Sequence, residues 1–123
     1  MQIDKEAGII EFRLTGVVSA DDILTGIKLF NATALDFPLR GFVWDMRDAD
    51  LSNYDYEGME RVFSANPPDA RLGKLRIATV PAKLVDRRLL GLWEAVAGKY
   101  DDNERQVLIS IREARVWVSQ NPG

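Results

Sequence analysis

Ile10, Phe12 and Leu14 alternate with Glu11, Arg13 and Thr15, the period of a strand with one buried face. Together with residues 2–5 this segment, 9–16, predicts a hairpin, with Gly8 at the turn and Gly16 at the exit. The period then lengthens. Ile23, Ile27 and Phe30 recur at helical spacing behind Ser19, and Asp22 three residues on completes a capping-box signal. Asp36-Phe37-Pro38 closes that helical region. Phe42-Val43-Trp44 follows Gly41 as a short continuous apolar run, expected of a strand covered on both faces. That strand is expected to stop at Asp45, with an acidic loop beyond it.

A second helix is predicted from about Asp55 to Ala65. It turns Met59, Val62 and Phe63 inward and ends at Asn66-Pro67-Pro68. Leu75 to Val80 reads as a strand stopped by Pro81. Residues 82–99 predict the longest helix, with Leu89, Leu92, Trp93, Val96 and Tyr100 along one stripe. After a turn at Asp101-Asp102-Asn103, Gln106 to Ile111 reads as the last strand. Arg112 to Ser119 forms a short closing helix that carries Trp117. The order β-β-α-β-α-β-α-β-α predicts an α/β fold in a single domain spanning 1–123. Its sheet has about five strands, mostly parallel, with the antiparallel strand supplied by the N-terminal hairpin, and about four helices cover it.

Composition narrows the chemistry. The chain has no cysteine and no histidine. Disulfides, thiolate metal sites, histidine zinc sites and the usual serine–histidine or cysteine–histidine catalytic pairs are excluded. An enzyme built on this chain would rely on carboxylates, lysine, tyrosine or a bound cofactor. The net charge of −3 lacks the basic excess of a duplex-binding domain, so nucleic acid is not an expected partner. Arg71, Lys74 and Arg76, and then Lys83, Arg87 and Arg88, gather locally and read as solvated faces. Gln2, Asp4, Lys5 and Glu6 interrupt any apolar export core, and no stretch is apolar enough for a transmembrane helix. The expected address is the cytoplasm. No phosphate-cradling glycine loop occurs and no cofactor is implied.

The segment from Gly41 to Gly58 concentrates the candidate chemistry. Asp45 and Arg47 are expected at the C-terminal end of the central strand, where open α/β sheets bind ligands. Read for function, they are a charged pair at a pocket mouth, with Asp55, the helix start and Tyr56 beside them. Read for structure, Asp45 caps the following turn and Arg47 pairs with Asp48 or Asp50. Those three aspartates lack the glycine turn and closing glutamate of a calcium loop, and no metal is assigned.

Three segments carry a resemblance across nearly the whole chain. They are Gly16-Val17-Val18-Ser19-Ala20-Asp21-Asp22, Trp44-Asp45-Met46-Arg47-Asp48-Ala49-Asp50, and Glu113-Ala114 with Trp117. In this order the chain resembles the STAS/SEC14-type domains of the SpoIIAA-like family, relatives of anti-sigma-factor antagonists. The resemblance implies a regulatory or binding domain rather than a particular activity. It sets Asp55-Tyr56-Glu57-Gly58 where the antagonists carry Asp-Ser-Ser-Gly, whose second serine is phosphorylated. Both serines are replaced here, and Glu57 stands at the phosphoserine position, so Ser52 and Tyr56 are the hydroxyls left near it for modification. Many relatives carry an arginine in the long third helix. Gly91 occupies that position, with Arg87 and Arg88 one turn earlier. The SEC14 relationship implies that Trp93 and Leu89 line a pocket for a lipid tail; their helical spacing alone reads as core.

Three readings are open at this level. The first is a non-enzymatic STAS-like module acting through a small apolar or anionic ligand, a regulatory protein partner, or both. Its candidate residues are Asp45, Arg47, Asp55, Tyr56, Arg88 and Trp93. The second is a carboxylate-dependent enzyme with Asp45 or Asp55 as general base. The third is a structural homodimer without ligand.

Overall fold

The computed structural model describes residues 1–65 and 73–122, with the backbone alone at 84 and 85. The Asn66-Pro67-Pro68 helix stop and Arg71 lie outside the described residues. The elements are β1 (Gln2–Asp4), β2 (Ile9–Val17), α1 (Ala20–Asn31), β3 (Gly41–Asp50), α2 (Tyr56–Ala65), β4 (Arg76–Pro81), α3 (Leu84–Ala97), β5 (Glu104–Val107) and α4 (Ile111–Ser119). The five strands form one sheet in the order β1-β2-β3-β4-β5. β1 is antiparallel to β2, and every other pair is parallel. The architecture is therefore the α/β sheet with an N-terminal hairpin and four helices that the alternation predicts.

Local chemistry sets the elements. Gly8 supplies the left-handed turn at φ 70°, a conformation that only glycine adopts without steric cost. Ser19 Oγ accepts the N–H of Asp22, and the Asp22 side chain accepts the N–H of Ser19, closing the capping box on α1. Ser110 caps α4 in the same way through the N–H of Glu113. Gly41 is required by close approach. A Cβ there would sit 1.8 Å from the carbonyl oxygen of Arg76 on β4.

Because consecutive parallel strands are neighbours, right-handed crossovers put their three helices on one face. That face holds the larger core, which includes Ile10, Phe12, Ile23, Trp44, Met59, Leu90 and Trp93. The opposite face holds a smaller core of Ile9, Val43, Ala78 and Val80 under Ile111, Ala114 and Val118 of α4. Neighbouring residues Ile9 and Ile10 serve opposite cores, as strand alternation requires.

Three expectations are corrected. β3 does not stop at Asp45. It runs ten residues to Asp50, because a register shift between Arg13 and Thr15 lets Thr15, Gly16 and Val17 continue the ladder against Asp48, Ala49 and Asp50. The acidic stretch is strand, not loop. On α3, Leu90 is buried while Leu92 is 43% exposed, so the inward stripe runs through Leu90, Trp93 and Ala97. β5 begins at Glu104 and ends at Val107, because the run that follows is consumed by the cap at Ser110 and by Ile111, which belongs to α4.

Candidate functional site

Asp45 and Arg47 lie on the α4 face of the sheet, in step with Val43 and Glu11. The register irregularity of β3 falls just after Asp45, and across it the Arg47 side chain meets the Asp45 carboxylate. Asp45 Oδ1 accepts the Arg47 backbone N–H at 3.2 Å and Nε–H at 3.0 Å, and Oδ2 accepts Nη2–H at 3.0 Å. Asp45 is 3% exposed, whereas half of the Arg47 side chain meets solvent. Burial alone would raise the Asp45 carboxyl pKa. The side-chain and backbone hydrogen bonds from Arg47 outweigh it, with help from Arg13, and hold the carboxyl below its ordinary value. A carboxylate with three donors already on it is a poor proton acceptor. Arg13 pairs with Asp48, and Arg115 of α4 grips Glu11 with two nitrogens. This part of the face is a ladder of ion pairs around Asp45.

Asp55 and Tyr56 lie on the other side of the sheet. Asp55 Oδ1 accepts the Gly58 N–H at 2.8 Å, which caps α2. Tyr56 is exposed, and its hydroxyl accepts a hydrogen bond from Lys99 Nζ at 2.8 Å. Lys99 also reaches Glu60 at 3.3 Å, and the Tyr100 hydroxyl donates to the same carboxylate. Those bonds, Tyr100 first, hold Glu60 below the usual glutamate range. The group ties α2 to the end of α3. Ser52 is exposed in a turn whose N–H is accepted by Asp50. Arg88 stands on the exposed side of α3 without a hydrogen bond or ion pair among the described residues. The structure therefore separates Asp45 and Arg47 from Asp55, Tyr56 and Arg88 by the thickness of the sheet.

Trp93 belongs to a third place. It is 6% exposed and packs edge-on against Tyr54 and Phe63, with ring centroids 5.3 and 5.9 Å away. It is one link in a continuous chain of rings. Phe30 meets Phe42 at 4.9 Å, Phe42 meets Phe12 at 6.0 Å, Phe12 stacks on Trp44 at 4.4 Å, and Trp44 meets Trp93 at 6.3 Å. These rings back a hollow of about 1320 Å³. α1 supplies Ile27 and Phe30, and the segment after it adds Ala34 and Leu35. α2 supplies Phe63, and β4 supplies Ile77. The hollow opens where β3, β4 and β5 begin, at the end of the sheet opposite the one that the strand-end rule selects.

Charges gather at its mouth and mostly cancel. Asp101 and Arg105 form a double hydrogen bond, Nη1 to Oδ1 and Nη2 to Oδ2, the second at 2.8 Å. Their side chains are only 12% and 10% exposed. The Arg105 guanidinium also lies 5.5 Å from the Phe63 ring centroid. Lys74 approaches Glu104 at 3.9 Å. Asn103 accepts the N–H of Leu75 and so closes the loop onto the sheet. Asp102, which also lines the hollow, has no hydrogen bond or ion pair among the described residues. Glu94 turns Oε1 into the protein, where it finds no partner. Burial raises its pKa, with the charge of Arg105 opposing.

Of the six candidate binding residues named from the sequence, Trp93 alone lines this hollow. Phe12, Phe30, Phe42, Trp44 and Phe63 were legible as core alone. The signal available was parity: Phe42 and Trp44 sit two apart on one strand and Phe12 pairs with Trp44, which stacks three rings on one face. Fold and hollow together define an α/β domain with an aromatic-lined recess at the N-terminal ends of its parallel strands. No protein-family model, curated protein or solved structure matches this chain.

Proposed function

We propose that this protein is a non-catalytic, STAS-like binding module that holds a small apolar ligand in the hollow between α1, α2, α3 and the sheet. The observation that carries the reading is the recess of about 1320 Å³, backed by six contiguous aromatic rings. Ligand sites are typically recesses of roughly 300–1,000 Å³ lined by apolar and aromatic side chains with a few polar groups at one end. At about 1320 Å³ the recess lies above that range, and it has that composition. Catalysis at Asp45 draws no support from its geometry, because the carboxylate is saturated by Arg47. Regulation, through a protein partner that senses the occupied state, is the role that the family resemblance adds to this reading.

Titration with the neutral fluorophore N-phenyl-1-naphthylamine tests it. Ala34 is exposed and lines the recess, so Ala34→Trp places an indole in the recess without entering the core. The wild type is expected to bind one probe saturably, and Ala34→Trp to bind at least about tenfold more weakly with an unchanged melting temperature. No saturable binding, or equal affinity in both proteins, contradicts the proposal.

A further inference from the structure

The chemistry around the recess discriminates among apolar ligands by charge. Of the two cations among its described lining residues, Arg105 has both terminal nitrogens engaged by Asp101, and Lys74 comes within 3.9 Å of Glu104. Arg105 therefore offers an anionic head group no free terminal nitrogen, while Lys74 shares Glu104 with Arg76, whose Nε–H donates to it at 3.2 Å. Asp102, at the same mouth, has no partner among the described residues. The Glu94 carboxyl lies behind Arg105, with a buried oxygen that finds no partner among the described residues. Among the described lining residues two carboxylates, Asp101 and Asp102, face two cations, Arg105 and Lys74, and the exposed carboxylate, Asp102, is the one with no partner among them. The walls act in the same direction. Aromatic faces attract cations and repel anions through the ring quadrupole, and one wall ring, Phe63, already bears the guanidinium of Arg105 at 5.5 Å. Phe30, Phe42 and Phe63 are the rings of this set that remain partly open.

We propose that the recess selects hydrophobic amines, ligands whose apolar, ring-sized body lies against Phe30, Phe42 and Phe63 and whose protonated nitrogen meets Asp102. This inference rests on the recess being the binding site, and it reverses the expectation of an anionic ligand.

Three compounds that share one naphthalene body separate the two ideas: 2-(1-naphthyl)ethylamine, 1-naphthaleneethanol and 1-naphthaleneacetate. Calorimetric titration at pH 7 is expected to rank them amine, alcohol, acid. The amine should bind about fivefold tighter than the alcohol, a difference of about 1 kcal/mol. The Asp102→Asn variant should bring amine and alcohol to equal affinity and leave alcohol binding unchanged. Asp102 is exposed, so the substitution leaves the fold intact, which a melting curve checks. Raised salt should erode the amine's advantage in the wild type. If all three bind equally, or the acid binds tightest, the charge selection is overturned while the recess stands as the site. If none binds, and the neutral fluorophore does not bind either, both proposals fall together.

Discussion

Removing Arg47 should cost far more than removing the aspartate it serves. The side chain of Asp45 is 4% exposed and that of Arg47 is 50% exposed, so the two ends of the pair have different alternatives. In Arg47→Ala the carboxylate stays buried and loses its two side-chain donors, and removing one partner of a buried pair costs about 3 kcal/mol or more. In Asp45→Ala the buried charge disappears as well. The guanidinium turns into solvent, leaving a loss of about 1 kcal/mol from the hydrogen bonds and a small void. The double variant should resemble Asp45→Ala, so the double-mutant cycle should return a coupling of about 3 kcal/mol. Acidity provides a second handle. In the wild type the folded-state pKa of Asp45 is depressed below 3.8, so its contribution is present above that value and lost as pH falls through the folded pKa. In Arg47→Ala burial is opposed only by the residue-47 backbone N–H and by Arg13 and raises the folded pKa, so the penalty is present at pH 7 and relieved as pH falls through the raised value. Urea unfolding at pH 7, 5 and 4 should show the gap between wild type and Arg47→Ala closing on acidification. A gap constant with pH, or an Arg47→Ala cost no larger than that of Asp45→Ala, refutes the argument.

The glycines give a contrasting pair. Gly41→Ala drives a methyl group to 1.8 Å from a β4 carbonyl oxygen and should cost more than about 3 kcal/mol or prevent folding. Gly91→Ala faces open space within α3 and should add about 0.5–1 kcal/mol in urea unfolding. The Tyr54 hydroxyl is buried without a partner among the described residues, and burial raises its pKa. Tyr54→Phe should therefore leave stability unchanged or raise it by up to about 1 kcal/mol, and a loss beyond that would show a donor or water engaged there. Ser19→Ala removes the hydroxyl half of the α1 capping box and should lower stability by about 1 kcal/mol, read as a drop in melting temperature.

Much of the fold was legible because local signals and long-range packing agree in it. Gly8, Ser19 with Asp22, and the alternation from Ile10 to Leu14 each specify a piece that the sheet then uses unchanged. The misreadings fall where a long-range contact decides. Nothing within Asp45 to Asp50 announces a strand, since its pairing partner is the end of β2 and its register depends on the irregularity between Arg13 and Thr15. Leu90 and Leu92 are equally apolar, and which one faces inward depends on how α3 is rolled against α2 and β4. The candidate site was less legible. Asp45 and Arg47 were recognisable as a pair, but their i, i+2 spacing on a strand joins them to each other rather than to a ligand. Trp93 was placed on the right helix face, yet the recess is assembled from rings on β2, β3, α1 and α2, separated along the chain and united only by crossover packing. Asp101 read as a turn residue, and Arg105, just ahead of the strand expected from Gln106, carried no assignment. Their pairing across the mouth of the recess is a product of the fold.

The most direct test of the central claim is to release the protein gently into a native mass spectrometer with an excess of N-phenyl-1-naphthylamine and compare wild type with Ala34→Trp. One probe per wild-type chain, and the bare mass for the variant under the same conditions, is the expected result. A wild-type chain that retains no probe, or a variant that retains as much, contradicts the account.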